Sequence, residues 1–274
     1  MQPSDPAAMG PSQAALLERF TAACLADPRV SAAFLGGSWA AGTADAYSDL
    51  DLYAVVETEA YQAFFADRER FMRALGDLAL WDDFSEFGFD MIIFVYADGV
   101  DGELALAPVS AFQHIHGGSY RVLVDKRDIL RGIEFPYYAP GPEERSRSLQ
   151  HAADWFWREL PRCAKALARG RLWTAAIYVE TLRRHVRVLL HELHPSPAAG
   201  DLRRRATPQE RVQIDDSYVR LDAGEMARAV RSLMTAAGQA ARTLADEGRL
   251  RYPEALERAV TPTVNALLER VSGD

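Results

Sequence analysis

Two carboxylates separated by one residue, Asp49 and Asp51, follow a Gly36-Gly37-Ser38 turn in the stretch Leu35-Gly-Gly-Ser-Trp-Ala-Ala-Gly-Thr-Ala-Asp-Ala-Tyr-Ser-Asp-Leu-Asp-Leu-Tyr53. Residues of these types suit phosphate chemistry assisted by a metal ion. Glycines without a Cβ let a triphosphate come close to the backbone N–H groups of a strand-to-helix turn, and the Ser38 hydroxyl adds a donor. Asp49 and Asp51 open the run Asp-Leu-Asp-Leu-Tyr-Ala-Val-Val. Side chains alternate along a strand, so both carboxylates share one face while Leu50 and Leu52 point into a core. Two hard oxygen ligands on one face suit Mg²⁺, which binds through one or two carboxylates together with substrate phosphates.

Elements that would hold these groups follow from periodicity. The apolar run Val30–Leu35 reads as a buried strand that the glycines terminate, and residues 13–27, apolar at Ala15, Leu16, Phe20 and Cys24, read as a helix before it. Residues 58–75 give a second amphipathic helix. The segment Phe89-Asp-Met-Ile-Ile-Phe-Val-Tyr-Ala-Asp-Gly-Val-Asp-Gly-Glu-Leu-Ala-Leu-Ala-Pro108 reads as two strands around an Asp98-Gly99 turn, and residues 120–126 complete a small mixed sheet. Three prolines and a glycine within residues 136–142 forbid a continuing helix and mark a linker. Beyond it the pattern is helical over 143–168, where Pro161 should kink or break the helix, over 171–193 up to Pro195-Ser-Pro197, and near 223–247 and 253–271. The fold class is α+β, with a mixed-sheet N-terminal domain over 11–135, a linker over 136–142 and an all-α bundle over 143–274. Residues 1–10 read as a frayed leader.

Gly37-Ser38, Gly42 and Ser48-Asp49-Leu50-Asp51 resemble the signature of the polymerase-β-type nucleotidyltransferase superfamily. That resemblance implies a third carboxylate on a later strand. Three acids compete: Glu103 at the head of the returning strand, Asp101 on the same strand face, and Asp90 at the start of the preceding strand. The pattern Asp-Gly-x-x-x-acid-Leu-x-Leu-x-Pro resembles the corresponding strand of bacterial streptomycin 6-adenylyltransferases, which favours Glu103. The helical half, through Phe156-Trp157 and the run from Arg169 to Ala176, resembles the C-terminal bundles of antibiotic nucleotidyltransferases.

The implied chemistry places the phosphate tail of ATP, or another nucleoside triphosphate, on Gly37 and Ser38. Mg²⁺, as two ions, is held by Asp49, Asp51 and Glu103. An acceptor hydroxyl attacks the α-phosphorus in line and pyrophosphate leaves. Glu103 either completes a second metal site or takes the hydroxyl proton. Lys126 and Lys165 are the only lysines. Lys165 is a candidate nucleotide contact across an interdomain cleft, set against an ordinary surface lysine. Glu180, with Tyr178, is a candidate for the acceptor site, set against an i,i+4 ion pair with Arg184. His114 and His116 alternate as metal ligands would, but an ordinary polar loop fits them better. Arg203-Arg-Arg205 reads as a solvated turn.

Composition narrows the acceptor. A net charge of −8 is the wrong sign for holding an RNA or DNA backbone, and suits a cationic small molecule such as an aminoglycoside or lincosamide antibiotic. Two cysteines, Cys24 and Cys163, without metal-type spacing read as free thiols of a cytoplasmic enzyme. No apolar run reaches membrane-spanning length. Two other readings are a nucleotidyltransferase acting on a protein or RNA, of toxin-antitoxin type, and a non-catalytic nucleotide-binding module. Monomer and homodimer are equally compatible with the sequence.

Overall fold

A computed structural model describes residues 9–85, 88–137, 139–195 and 202–272. Most of the expected leader, and two residues of the Pro195-Ser-Pro197 stop, lie outside them. Two compact units divide the chain, Met1–Ala139 and Pro140–Asp274.

The first unit starts with α1 (Pro11–Ala26), β1 (Val30–Leu35), α2 (Gly37–Ala41) and β2 (Leu50–Val56). After a 3-10 turn (Thr58–Ala60) come α3 (Tyr61–Leu75), β3 (Leu78–Phe84), β4 (Asp90–Tyr96), β5 (Asp101–Pro108), a second 3-10 turn (Phe112–His114) and β6 (Arg121–Asp125). The strands form one six-stranded sheet in the order β3-β4-β5-β2-β1-β6. It is mixed: β2 and β5 run parallel, and the other pairs are antiparallel.

Alternation assigns the two faces. Leu50, Leu52, Ala54 and Val56 of β2 join Ile92, Phe94, Leu104 and Leu106 against Leu16 and Phe20 of α1 and Phe64 and Met72 of α3. The opposite face is covered over part of its length by Phe112, Ile115, Leu130 and Phe135, which pack on Ala32, Phe34, Val55 and Ala107. Asp51, Tyr53 and Glu103 therefore stand on this second, partly open face.

One strand, β3, goes beyond the sequence reading. It pairs only with β4, has a register irregularity between Leu78 and Leu80, and exposes Ala79, Leu80 and Asp82 along an edge. An edge strand lacks the two-sided burial that makes strands conspicuous in sequence. Arg68 of α3 fixes it, pairing with Asp83 and lying 3.8 Å from the Phe65 ring centroid.

The second unit is helical throughout: α4 (Pro142–Ala168), α5 (Leu172–Leu193), α6 (Leu202–Arg205), α7 (Pro208–Asp215), α8 (Ala223–Asp246) and α9 (Glu254–Ser272). Its core joins Phe156 and Leu160 of α4, Leu182 and Val186 of α5, Val230 and Leu233 of α8, and Val264 and Leu268 of α9. Pro161 does not break α4, which runs through it. Leu160, Cys163, Ala164 and Leu167 around the proline are all buried. Their burial outweighs the roughly 3 kcal/mol that an internal proline costs. Arg203-Arg-Arg205 forms the single turn α6, tied down by an Arg203–Asp215 ion pair. No helix of the described residues is long and apolar enough to cross a membrane.

Candidate active site

Backbone bonds pin the Gly-Ser turn to the carboxylate strand. The Gly36 N–H donates to the Asp51 carbonyl at 2.9 Å. The buried Trp39 donates its indole N–H to the Asp49 carbonyl at 2.9 Å, and Gln13 of α1 donates to the Ser48 carbonyl at 2.6 Å. Gly37 has φ +55°, and a Cβ there would lie 1.7 Å from Asp51 Oδ2. Glycine at 37 thus serves two needs: a left-handed backbone, and room for the carboxylate. α2 is only five residues long. Its dipole is correspondingly slight, which leaves individual N–H groups of the turn, rather than a helix end, as what this element could offer an anion.

The parallel register places Asp51 directly beside Glu103, and Leu50 beside Gly102. Neighbouring strands lie about 4.8 Å apart, so the carboxylates of Asp51 and Glu103 are adjacent on one face. Gly102 permits this approach, since a Cβ there would lie 2.3 Å from the Leu50 carbonyl oxygen. Asp49 extends the array one step outward, next to the start of β5 where Asp101 is exposed. Asp51 responds to this setting: burial, then the charges of Asp49 and Glu103, push its carboxyl up to about 6.

Asp90, the third contender, stands with Ile92 and Phe94 on the opposite, helix-covered face, opposite Leu106 rather than near Asp51. It accepts hydrogen bonds from the Tyr61 and Ser85 hydroxyls, which gives it a structural task.

Mutually repelling carboxylates of this kind suit a divalent cation. Among the described residues no group of three His, Cys, Asp or Glu side chains forms a ready-made metal cage. The donor set fits magnesium nonetheless, because Mg²⁺ retains water and takes phosphate oxygens instead of a full protein shell.

Tyr53 follows Asp51 on the same face. Its ring stacks on Phe34 at 4.5 Å, and His116 meets it edge-on at 4.7 Å. Burial pushes the Tyr53 hydroxyl up and the His116 imidazole down, so both are neutral near pH 7. His116 is therefore part of an aromatic cluster with Phe34, Tyr53 and Phe135, while His114 is exposed on the 3-10 turn. Their spacing in the chain contains no sign of this separation; the cluster is assembled by residues far apart in sequence.

The second unit carries the remaining sequence candidates. Lys165 is exposed on α4. Glu180 pairs with Arg183 rather than Arg184, and Tyr178 packs partly buried against the helical core, so the two do not share a face of α5. Arg183 is buried, donating to the Ser217 hydroxyl at 2.9 Å and carbonyl at 2.8 Å. Lys126 donates to the Asp27 carbonyl at 2.7 Å.

A mixed sheet with a Gly-Ser turn facing adjacent carboxylates on its parallel central strands defines a nucleotidyltransferase. A model of the streptomycin adenylyltransferase family matches residues 12–194, more than half of the chain. The chain belongs to that family and is an adenylyltransferase. Similar solved structures include an aminoglycoside 6-adenyltransferase from Bacillus subtilis, 14% identical with a TM-score of 0.39 over 93% of this chain and 97% of that one. Another is a nucleotidyltransferase-like protein from Exiguobacterium sibiricum 255-15, 11% identical with a TM-score of 0.38 over 86% of this chain and 76% of that one. No curated protein matches the chain.

Proposed function

We propose that the protein transfers AMP from ATP to a hydroxyl of a small-molecule antibiotic, an aminoglycoside or lincosamide, and releases pyrophosphate. The observation that carries this reading is the register that sets Glu103 beside Asp51, within the strand that Gly36 and Gly37 abut. The Gly37 backbone and Ser38 hydroxyl hold the β- and γ-phosphates. Asp49 and Asp51, with Glu103, hold magnesium, which when bound supplies positive charge to the phosphate oxygens. The acceptor hydroxyl attacks the α-phosphorus in line as pyrophosphate leaves, and Glu103 either completes a second metal site or takes the proton of that hydroxyl. The family membership supports a small-molecule acceptor, as does the acidic net charge of −8.

The test is pyrophosphate release from each nucleoside triphosphate with Mg²⁺, against streptomycin, other aminoglycosides and lincomycin. The Asp49→Asn, Asp51→Asn double variant serves as blank. Release that requires one drug and vanishes in the variant is the expected result. Nucleotide binding without drug-stimulated release would instead direct the search to protein, RNA or metabolite acceptors.

A further inference from the structure

A cavity of about 360 Å³ lies within the helical unit, between α5 and the chain that links α7 to α8. Val179, Val219, Leu221 and Met226 supply apolar walls, and the Tyr218 ring adds an aromatic one. Arg183, only 6% exposed, lines it too. A guanidinium so deeply placed is costly to desolvate unless it is paired and hydrogen-bonded. Its Nε–H donates to the Ser217 hydroxyl at 2.9 Å, a terminal N–H donates to the Ser217 carbonyl at 2.8 Å, and another donates to Glu180. Three of the five N–H donors of an arginine are thus engaged, and the others have no partner among the described residues. The Tyr218 ring covers a face of the guanidinium, with 3.8 Å to its centroid.

Among the described residues, Glu180 is the only carboxylate lining the cavity. Its side chain is 50% exposed and reaches Arg183 from one turn earlier on α5. Arg220, the other cation of the lining, is paired with Glu225. The countercharge of the buried Arg183 is therefore a half-solvated side chain that can return to water.

We propose that this cavity binds a small monocarboxylate with an apolar body, which takes the place of Glu180 on Arg183. The guanidinium fork matches a carboxylate in two parallel hydrogen bonds, whereas Glu180 accepts only one. The exchange keeps the buried cation neutralised, and Glu180, already half in water, loses little by leaving. The apolar body removes Val179, Leu221 and Met226 from water. This site is separate from the proposed transfer reaction, whose acceptors are cationic. A cation entering here would meet Arg183 and would have to strip it of Glu180, leaving a buried charge unpaired.

NMR of the full chain labelled with [methyl-¹³C]methionine tests this, in EDTA, with benzoate, benzyl alcohol and benzylamine as probes. Met226 is buried and lines the cavity, and Met226→Leu identifies its signal. Benzoate should move that signal saturably, benzyl alcohol should half-saturate at a concentration at least about tenfold higher, and benzylamine should leave it in place. Glu180→Gln should tighten benzoate binding by about threefold or more, because the internal competitor for Arg183 is gone. Leu221→Asp, at a wall residue 50% exposed, should abolish the benzoate response. Benzylamine binding as tightly as benzoate would make this a cation site of Glu180 and overturn the proposal. So would a Glu180→Gln chain that binds benzoate equally or more weakly, a benzoate response that survives Leu221→Asp, or a Met226 signal unmoved at about 50 mM benzoate.

Discussion

Gly37 and Asp51 compete for one small volume, and the competition makes the glycine indispensable. A Cβ at 37 meets Asp51 Oδ2 at 1.7 Å, whereas a Cβ at Gly99, also at positive φ, meets nothing within 4 Å. Gly99→Ala should therefore cost only the backbone strain, about 1 kcal/mol, and leave activity intact. Gly37→Ala carries the same strain and also displaces the carboxylate. Pyrophosphate release should fall by about 100-fold or more, in keeping with the loss expected when reacting groups move by an ångström. Asp51 offers a second prediction. Its folded value, about 6, lies above its ordinary 3.8, so ionisation is harder in the folded chain. The fold is favoured most below pH 3.8, and that advantage is lost as pH rises through about 6. Asp51→Asn should accordingly raise the metal-free melting temperature at pH 8 by a few degrees, about 1 kcal/mol after allowance for solvent screening. The gain should disappear near pH 4, and thermal melts in EDTA across pH would show it. A destabilised variant at pH 8 would mean that the carboxylate has a cationic partner.

At the scale of elements, the site depends on β2 and β5 lying parallel and in register, with Asp90 on the other face. Glu103→Ala should lower kcat by about 10²–10⁴-fold with little change in stability. Asp90→Ala should do the reverse, removing the acceptor for Tyr61 and Ser85 and costing about 1–3 kcal/mol in urea unfolding while kcat holds. A loss of kcat in Asp90→Ala with stability unchanged would contradict this division. The alternation Asp49-Leu-Asp51-Leu was legible in the sequence because period two assigns faces without any knowledge of neighbours. Which strand lies beside β2 was not so legible, since β5 reaches it through a long connection and only resemblance pointed to Glu103. Strand β3 escaped because one of its sides has no partner. Helix α7 escaped for a different reason: its signal was present, with Thr207 accepting from the Glu210 N–H and Pro208 at the first turn, but the element is only eight residues long. Pro161 misled because its local penalty is readable and the packing that offsets it is not.

For the whole molecule, two units with separate cores carry a net charge of −8. A phosphate backbone needs a basic surface, and salt weakens what attraction remains. Fluorescence anisotropy with a labelled single-stranded RNA, at about 150 mM salt, should show no binding at protein concentrations up to about 10 μM. Binding in that range would favour a nucleic-acid acceptor. The central claim concerns which phosphorus is attacked, and isotope placement reads it directly. With Mg²⁺ and the antibiotic panel, ATP labelled at the α-phosphorus should pass its label to the drug, and ATP labelled at the γ-phosphorus should leave its label in pyrophosphate. Label arriving on the drug from the γ-position would mean phosphoryl rather than nucleotidyl transfer and would contradict the account.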